Sequence, residues 1–195
     1  MLTEPAICQN KSDEEVVKLI LKNPDLYLCL MKRYEGKLFW YLKRISGLPD
    51  DDLEDLLQEV FIKAYQNLRD FDPSLKFSSW IYRIAHNHAI SQYRKSKARP
   101  LLLAGEEADI ILDKLSGDSD LEDETFKKMR IDELKEVISR LEPKYGEVII
   151  LRYLEEKDYT EISDILKKPV GTVATLLSRA KKQLLTLINQ KNIEL

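Results

Sequence analysis

A basic and aromatic stretch over residues 73–100 contains the residue types best suited to binding chemistry. It has no Asp or Glu, although 33% of the chain is charged and the net charge is -3. It carries six Lys or Arg residues, with four aromatic residues interleaved among them. Cations can contact phosphates and aromatic rings can stack on bases, so this combination favours a surface that binds a nucleic-acid strand.

The same stretch predicts a helix with two different faces. Ser78 or Ser79 is expected to cap its N-terminus. The stripe predicted to face a core consists of Ile81, Ile84, Ala85 and His88. The second, polar stripe consists of Arg83, Asn87 and Arg94. A solvated basic face over a core anchored by Trp80 is an equally open interpretation.

Composition and charge predict an all-α chain with two small helical domains. Gly and Pro are few, at 6 and 7 residues, and strict apolar–polar alternation is absent. Residues 1–100 have a net charge of +2, residues 101–125 of -8 and residues 126–195 of +3. We therefore expect domains over 1–100 and 126–195, joined by a flexible acidic linker over 101–125 without a fold of its own.

Capping signals and apolar periodicity predict the other helices. Capping boxes are expected at Ser12 with Glu15 and at Asp158 with Glu161. The predicted helices span about residues 12–21, 25–45, 51–68, 125–141, 145–155, 158–166 and 171–188. The last two, with a tight turn between them, form a helix-turn-helix pattern, whose second helix enters a DNA major groove. Its predicted buried face comprises Val173, Leu177, Ala180, Leu184 and Ile188.

Cysteine and histidine usage argues against an enzyme. Cys29 lies in an apolar helical pattern and is interpreted as a packed thiol; a disulfide with Cys8 stays open, with reducing conditions as the default. His86 and His88 have no Cys or acid at metal or triad spacing, and no Gly-rich phosphate loop is present. No metal or cofactor is expected. Without a signal peptide or membrane-spanning run, a cytoplasmic protein with no membrane insertion is predicted.

Two blocks of the sequence resemble the extracytoplasmic-function (ECF) sigma factors, minimal members of the sigma-70 family of bacterial RNA polymerase. Residues 55–94, DLLQEVFIKAYQNLRDFDPSLKFSSWIYRIAHNHAISQYR, are similar to the conserved second region. Residues 141–185, LEPKYGEVIILRYLEEKDYTEISDILKKPVGTVATLLSRAKKQL, are similar to the fourth region. The resemblance implies a non-enzymatic factor that binds core polymerase, recognises the promoter −10 and −35 elements and promotes DNA melting.

The resemblance also implies roles for residues of the first block. Phe71 and Asn87 match the positions that hold and read a base flipped from the −10 non-template strand. Trp80 matches an aromatic near the melting point, and Arg83 and Arg94 match backbone contacts. The face that grips the clamp of the largest polymerase subunit consists of Asp55, Gln58 and Glu59. The polymerase flap region and an anti-sigma factor are further candidate partners.

In the second block, the resemblance implies a helix that reads the −35 element. Its matching residues are Thr172, Thr175, Ser178, Arg179 and Lys182, with Tyr159 and Lys168 near the phosphate backbone. The family commonly has basic or polar residues where this chain has Ala174 and Leu176. This departure removes up to two charged contacts and leaves Arg179 more isolated.

Other interpretations of the residues stay open. A loop aromatic such as Phe71 more commonly plugs a core than stacks a base. The whole chain could be a stand-alone helix-turn-helix repressor or activator, which would bind duplex DNA without polymerase. It could also be a helical adaptor that binds only proteins, in which case neither block would contact DNA.

Overall fold

The structure is a computed structural model that describes residues 5–96, 105–116, 137–138 and 140–193. Across these residues the chain forms helices and turns and no strand, which confirms the all-α class. The chain divides into two compact units, one made essentially of Met1–Ala98 and the other of nearly all of residues 99–195.

Four helices build the N-terminal unit. They are α1 (Asp13–Ile20), α2 (Tyr27–Ser46), α3 (Asp50–Gln66) and α4 (Phe77–Ser96), with 3₁₀ turns at Ala6–Cys8, Pro24–Leu26 and Leu68–Asp70. The helices α2, α3 and α4 pack on one another, and α1 packs on α2. Helix α2 ends at Gly47, whose φ of 65° is left-handed and costs glycine little. The reversal at Gly47 brings α3 back against α2.

The start of α4 depends on a side chain from α1. The capping box at Ser12 is confirmed: its hydroxyl accepts from Glu15 N–H at 3.2 Å, and Ser12 N–H donates to Glu15 at 2.8 Å. Helix α4 begins at Phe77, before both serines predicted to cap it, so that prediction is wrong. Instead Phe77 N–H donates to the Glu14 carboxylate at 2.9 Å. A carboxylate is favourable there because the first amides of a helix lack intrahelical acceptors.

An aromatic cluster fills the core where α2 meets α4. The Phe77 ring lies 5.5 Å from Tyr34, 5.6 Å from Phe71 and 5.5 Å from Trp80, measured between centroids. Phe71 and Trp80 also contact each other edge-on at 5.5 Å. Burial and a hydrogen bond to Asp13 raise the pKa of the Tyr34 hydroxyl, which therefore stays protonated as a donor. The cluster fixes the loop before α4 and the first turns of α4.

A disulfide between Cys8 and Cys29 joins the N-terminal segment to α2. The prediction that Cys29 is a packed free thiol is therefore wrong, although both sulfurs are buried as expected. The two cysteines are 21 residues apart, and the folding of the first turn onto α2 brings them together. Arg33 holds the same segment independently, donating to Cys8 O at 2.6 Å and Lys11 O at 2.9 Å.

The C-terminal unit ends in the predicted helix-turn-helix. Its helices are α5 (Gly105–Ser116), α6 (Pro143–Ile149), which continues as a π-helical turn over Ile150–Leu154, α7 (Tyr159–Leu166) and α8 (Val170–Ile193). Helix α8 packs against α6. The capping box of Asp158 with Glu161 is confirmed, with hydrogen bonds of 2.8 and 3.1 Å. The helix predicted over 125–141 lies almost entirely outside the described residues.

The acidic segment is not without structure, because helix α5 occupies Gly105–Ser116. The prediction of an unfolded linker over 101–125 is wrong for these residues. Ile111 and Leu115, four residues apart, are fully buried as α5 packs on the π-helical turn. The single base of the segment, Lys114, donates to Tyr153 O at 2.8 Å and to Glu156 at 2.7 Å. The high negative charge of residues 101–125 concealed the short amphipathic pattern of α5.

Candidate nucleic-acid interface

A polar cleft of about 380 Å³ lies between α3 and α4. We call it the α3–α4 cleft, and its lining residues are Lys63, Asn67, Asp70, Trp80, Arg83, Ile84, Asn87, His88 and Ser91. Two cations, two side-chain amides and one indole ring therefore converge on one opening. Its volume falls within the roughly 300–1,000 Å³ typical of small-ligand pockets, which is room for one nucleobase.

The structure brings together three of the five residues predicted for the −10 strand. Trp80, Arg83 and Asn87 all line the α3–α4 cleft, and Asn87 is exposed. Phe71 is 6% exposed and plugs the aromatic cluster behind Trp80, the alternative that sequence reasoning considered commoner. Trp80 is 7% exposed, so it anchors the core and contributes to the cleft wall at once. The side chain of Arg94 lies outside the described residues.

The two histidines have different surroundings from those predicted. His86 is buried, and its Nδ1 lies 3.0 Å from the Tyr41 hydroxyl. His88 instead lies at the cleft, with Nδ1 2.8 Å from Lys63 Nζ and Nε2 in contact with the Glu59 carboxylate. With 10% of its side chain exposed, His88 is largely enclosed, but it lines the α3–α4 cleft and has an acidic partner.

The residues predicted to grip polymerase are all on the exposed side of α3. Asp55, Gln58 and Glu59 are solvent-exposed, while the intervening leucines face the core. Gln58 also borders an apolar groove of about 630 Å³ between α2 and α3. Exposed Ile62 and Tyr65 continue this groove. An acidic and amide edge beside an apolar groove suits a protein partner, because large exposed apolar patches mark interaction sites.

Helix α8 presents the predicted DNA-reading residues to solvent. Val173, Leu177, Ala180 and Leu184 are buried as predicted, whereas the side chain of Ile188 lies outside the described residues. The exposed set comprises Thr172, Thr175, Ser178, Arg179 and Lys182. The turn before α8 is closed by the Ser163 hydroxyl, which donates to Lys168 O at 2.6 Å. Lys167 adopts a left-handed φ of 51° as the α7 cap.

The two residues predicted near phosphates lie at different places in this helix-turn-helix. Tyr159 is exposed at the start of α7, and the Arg152 guanidinium lies 5.5 Å from its ring centroid. Lys168 is half-buried in the turn. Arg152 was missed by sequence reasoning, since nothing in the pattern of an apolar helix indicates that Arg152 reaches α7. The stacked pair places a cation beside the α7 N-terminus, where phosphates also bind favourably.

Sequence reasoning also missed the residues that line the α3–α4 cleft from α3 and the turn after it. Lys63 lies on the exposed side of α3, Asn67 caps the C-terminus of α3 four residues later, and Asp70 follows in the 3₁₀ turn. The spacing of four was the available signal, but it shows a shared helix face and not which neighbouring helix that face meets.

The residues that the structure describes contain neither a candidate membrane-spanning helix nor a candidate metal site. No helix among them is long and apolar enough to cross a bilayer. They also contain no group of three His, Cys, Asp or Glu placed to hold an ion.

Comparison with known proteins gives matches to both units. The Sigma-70 region 2 family matches residues 30–99, and the Sigma-70, region 4 family matches residues 131–184. Two solved structures share the fold: CnrH in complex with the cytosolic domain of CnrY (TM-score 0.65, 22% identity, 92% of this chain and 99% of that chain); and RpoE in complex with the anti-sigma factor NepR from Bartonella quintana (0.56, 21%, 82% and 94%).

Curated relatives match along most of their length. The chain is 34% identical to the ECF RNA polymerase sigma factor SigW of Bacillus subtilis, over 82% of this chain and 87% of SigW. It is 30% identical to the ECF RNA polymerase sigma-E factor of Escherichia coli K12, over 88% of this chain and 91% of that factor. The region 2 match contains the α3–α4 cleft, and the region 4 match contains the helix-turn-helix up to residue 184. The chain belongs to the ECF RNA polymerase sigma factors of the sigma-70 family.

Proposed function

We propose that this sigma factor directs core RNA polymerase to promoters by three separate surfaces. The α3–α4 cleft captures a base of the −10 non-template strand, the exposed face of α3 binds the polymerase clamp, and α8 reads the −35 element. In this proposal residues 1–100 contain the first two surfaces, residues 126–195 contain the third, and residues 101–125 connect them. The convergence of Trp80, Arg83 and Asn87 on one base-sized cleft carries the proposal.

The cleft has the groups that flipped-base capture requires. Asn87 can donate to and accept from a base edge, and Trp80 offers an aromatic wall. Lys63 and Arg83 at the rim can contact the phosphates on either side of the base. A captured base offsets the cost of unstacking, a few kcal/mol, and so holds the duplex open. Phe71 supports this site from behind by fixing Trp80, without contacting the base.

The other two surfaces supply partner and position. Asp55, Gln58 and Glu59 form an exposed polar edge suited to a basic protein surface. On α8, Arg179 is the main charged reader, since Ala174 and Leu176 are half-buried and cannot contact DNA by charge. The unit around α8 is further proposed to contact the polymerase flap. We propose a cytoplasmic location, where the polymerase acts, and an anti-sigma factor as a regulatory partner.

Replacing Asn87 by alanine tests the base-reading role. Asn87→Ala should lose about 1–3 kcal/mol of discrimination at one −10 position, because one bidentate amide contact is removed. Open-complex formation on promoters varied at each −10 position measures this loss. Gln66→Ala, which removes an exposed amide elsewhere on α3, should leave base preference unchanged. If Asn87→Ala opens promoters with the wild-type base preference, another residue reads the base.

Transcription with purified core polymerase tests the function as a whole. Core polymerase plus this protein should make RNA from promoters with both elements, and the protein alone should not shift duplex DNA. Arg179→Ala should remove the dependence on the −35 sequence while transcription from strong −10 elements persists. Lys144→Ala, an exposed base of the same unit, is the charge-matched control.

The alternatives predict different outcomes in that assay. A stand-alone repressor or activator would shift duplex DNA without polymerase, and a protein-only adaptor would crosslink to DNA at neither unit. Either result would contradict the proposed function. An unaltered −35 dependence in Arg179→Ala would contradict only the assignment of that residue.

A further inference from the structure

A chain of three side chains joins the polymerase-facing side of α3 to the α3–α4 cleft. Lys63 Nζ lies 2.8 Å from His88 Nδ1, and His88 Nε2 contacts the Glu59 carboxylate. Lys63 and His88 line the cleft, whereas Glu59 points to solvent with 52% of its side chain exposed. A single imidazole therefore contacts one residue of each surface.

The partners of His88 define its tautomer. An ammonium group has no lone pair and can only donate, so Nδ1 must accept from Lys63. A neutral imidazole has one accepting and one donating nitrogen, so Nε2–H must donate to Glu59. The side chain of His88 is only 10% exposed, so few other partners can reach its nitrogens. Lys63 and Glu59 are thereby held on opposite edges of one ring.

This arrangement reduces the cationic character of the cleft in the free protein. The Lys63 ammonium is directed at His88 and is partly compensated by the carboxylate on the far side of the ring. A partner that binds Glu59 would remove the acceptor of Nε2–H, and the ring would no longer be held for Lys63. Lys63 could then turn to a strand phosphate at the cleft rim.

We infer that His88 is a positioning residue that couples polymerase binding at Glu59 to strand binding in the α3–α4 cleft. The inference rests on the proposed function, because it takes the α3 face as the polymerase surface. Binding at one site then changes affinity at the other, because Lys63 is directed either at His88 or at a strand phosphate. The effect is reciprocal. The free factor would bind promoter strands weakly, and the polymerase-bound factor would bind them more tightly.

A substitution series on the full-length free protein tests the coupling. Glu59→Ala should raise affinity for a single-stranded −10 oligonucleotide by at least about 5-fold, the lower end of typical couplings. Glu54→Ala removes the same charge from an exposed position on α3 and should have a clearly smaller effect. In a His88→Leu background the effect of Glu59→Ala should fall to that of Glu54→Ala. His88→Gln, which can accept from Lys63 and donate to Glu59, should restore the difference.

The outcomes separate the coupling from the proposed function. Equal effects of Glu59→Ala and Glu54→Ala, or an effect of Glu59→Ala that survives His88→Leu unchanged, would overturn the coupling alone. Wild-type protein that binds no −10 strand even with core polymerase would overturn the proposed function and the coupling with it. Nitrogen NMR of the wild type tests the tautomer without relying on the folding of any variant. The chain has two histidines, so few imidazole signals need to be assigned. An Nδ1–H tautomer at His88 would exclude the proposed hydrogen bonds from Lys63 to His88 and from His88 to Glu59.

Discussion

Replacing Phe77 with alanine is expected to lower the free energy of unfolding of the N-terminal unit by about 3–5 kcal/mol. The Phe77 ring is fully buried and contacts three other aromatic rings, so its removal leaves a cavity that rigid neighbours fill poorly. Because Trp80 leans on this ring and lines the α3–α4 cleft, promoter opening should weaken as well. Denaturant unfolding monitored by tryptophan fluorescence measures the loss of stability.

Two controls define what the Phe77 result means. Phe77→Leu keeps most of the volume and should cost clearly less, whereas Ile62→Ala, at a side chain 56% exposed, should change stability little. A loss below about 1 kcal/mol for Phe77→Ala would show that the cluster is not a structural core. In that case the burial of Phe71 would no longer argue against direct base contact.

Reducing the Cys8–Cys29 disulfide is the second change with a large expected effect. It should lower the free energy of unfolding of the N-terminal unit by about 2–4 kcal/mol, because the crosslink restricts the unfolded chain. Arg33 still holds the Cys8 and Lys11 carbonyls after reduction, so the segment should loosen without complete release. Unfolding with and without a dithiol reductant measures the difference.

The Cys8→Ala, Cys29→Ala double variant supplies the control for reduction. Its stability should match that of the reduced wild type and should not respond to reductant. A wild type whose unfolding is equally insensitive to reductant would show that the thiols are not paired. That result would restore the interpretation of Cys29 as a packed thiol.

Local signals in the sequence predicted much of this fold. The capping boxes at Ser12 and Asp158 depend on residues three positions apart, and both occur in the structure. The buried stripe of α8 follows from helical periodicity in the same way. Asn87, Arg83 and Trp80 were assigned through the family resemblance, and the structure places them in one cleft, while their roles stay predictions.

Contacts between distant residues were the ones that sequence reasoning missed. Glu14 and Phe77 are separated by 63 residues, and His88 and Glu59 by 29. Helical periodicity gives a face to each residue but does not say which other helix meets it, so the contacts of His88 with α3 were missed. In the acidic segment, the high charge led to the prediction of an unfolded linker, although Ile111 and Leu115 of α5 are buried.

The hydrogen bond from Phe77 N–H to Glu14 bears on where the N-terminal unit begins. The Sigma-70 region 2 match starts at residue 30, after α1 has ended. A protein shortened to that family boundary would keep every residue of the α3–α4 cleft. It would nevertheless lose the carboxylate that neutralises the positive end of α4, together with the cystine anchor on α2. Residues 5–20 therefore act as a brace for α4, although none of them lines the α3–α4 cleft.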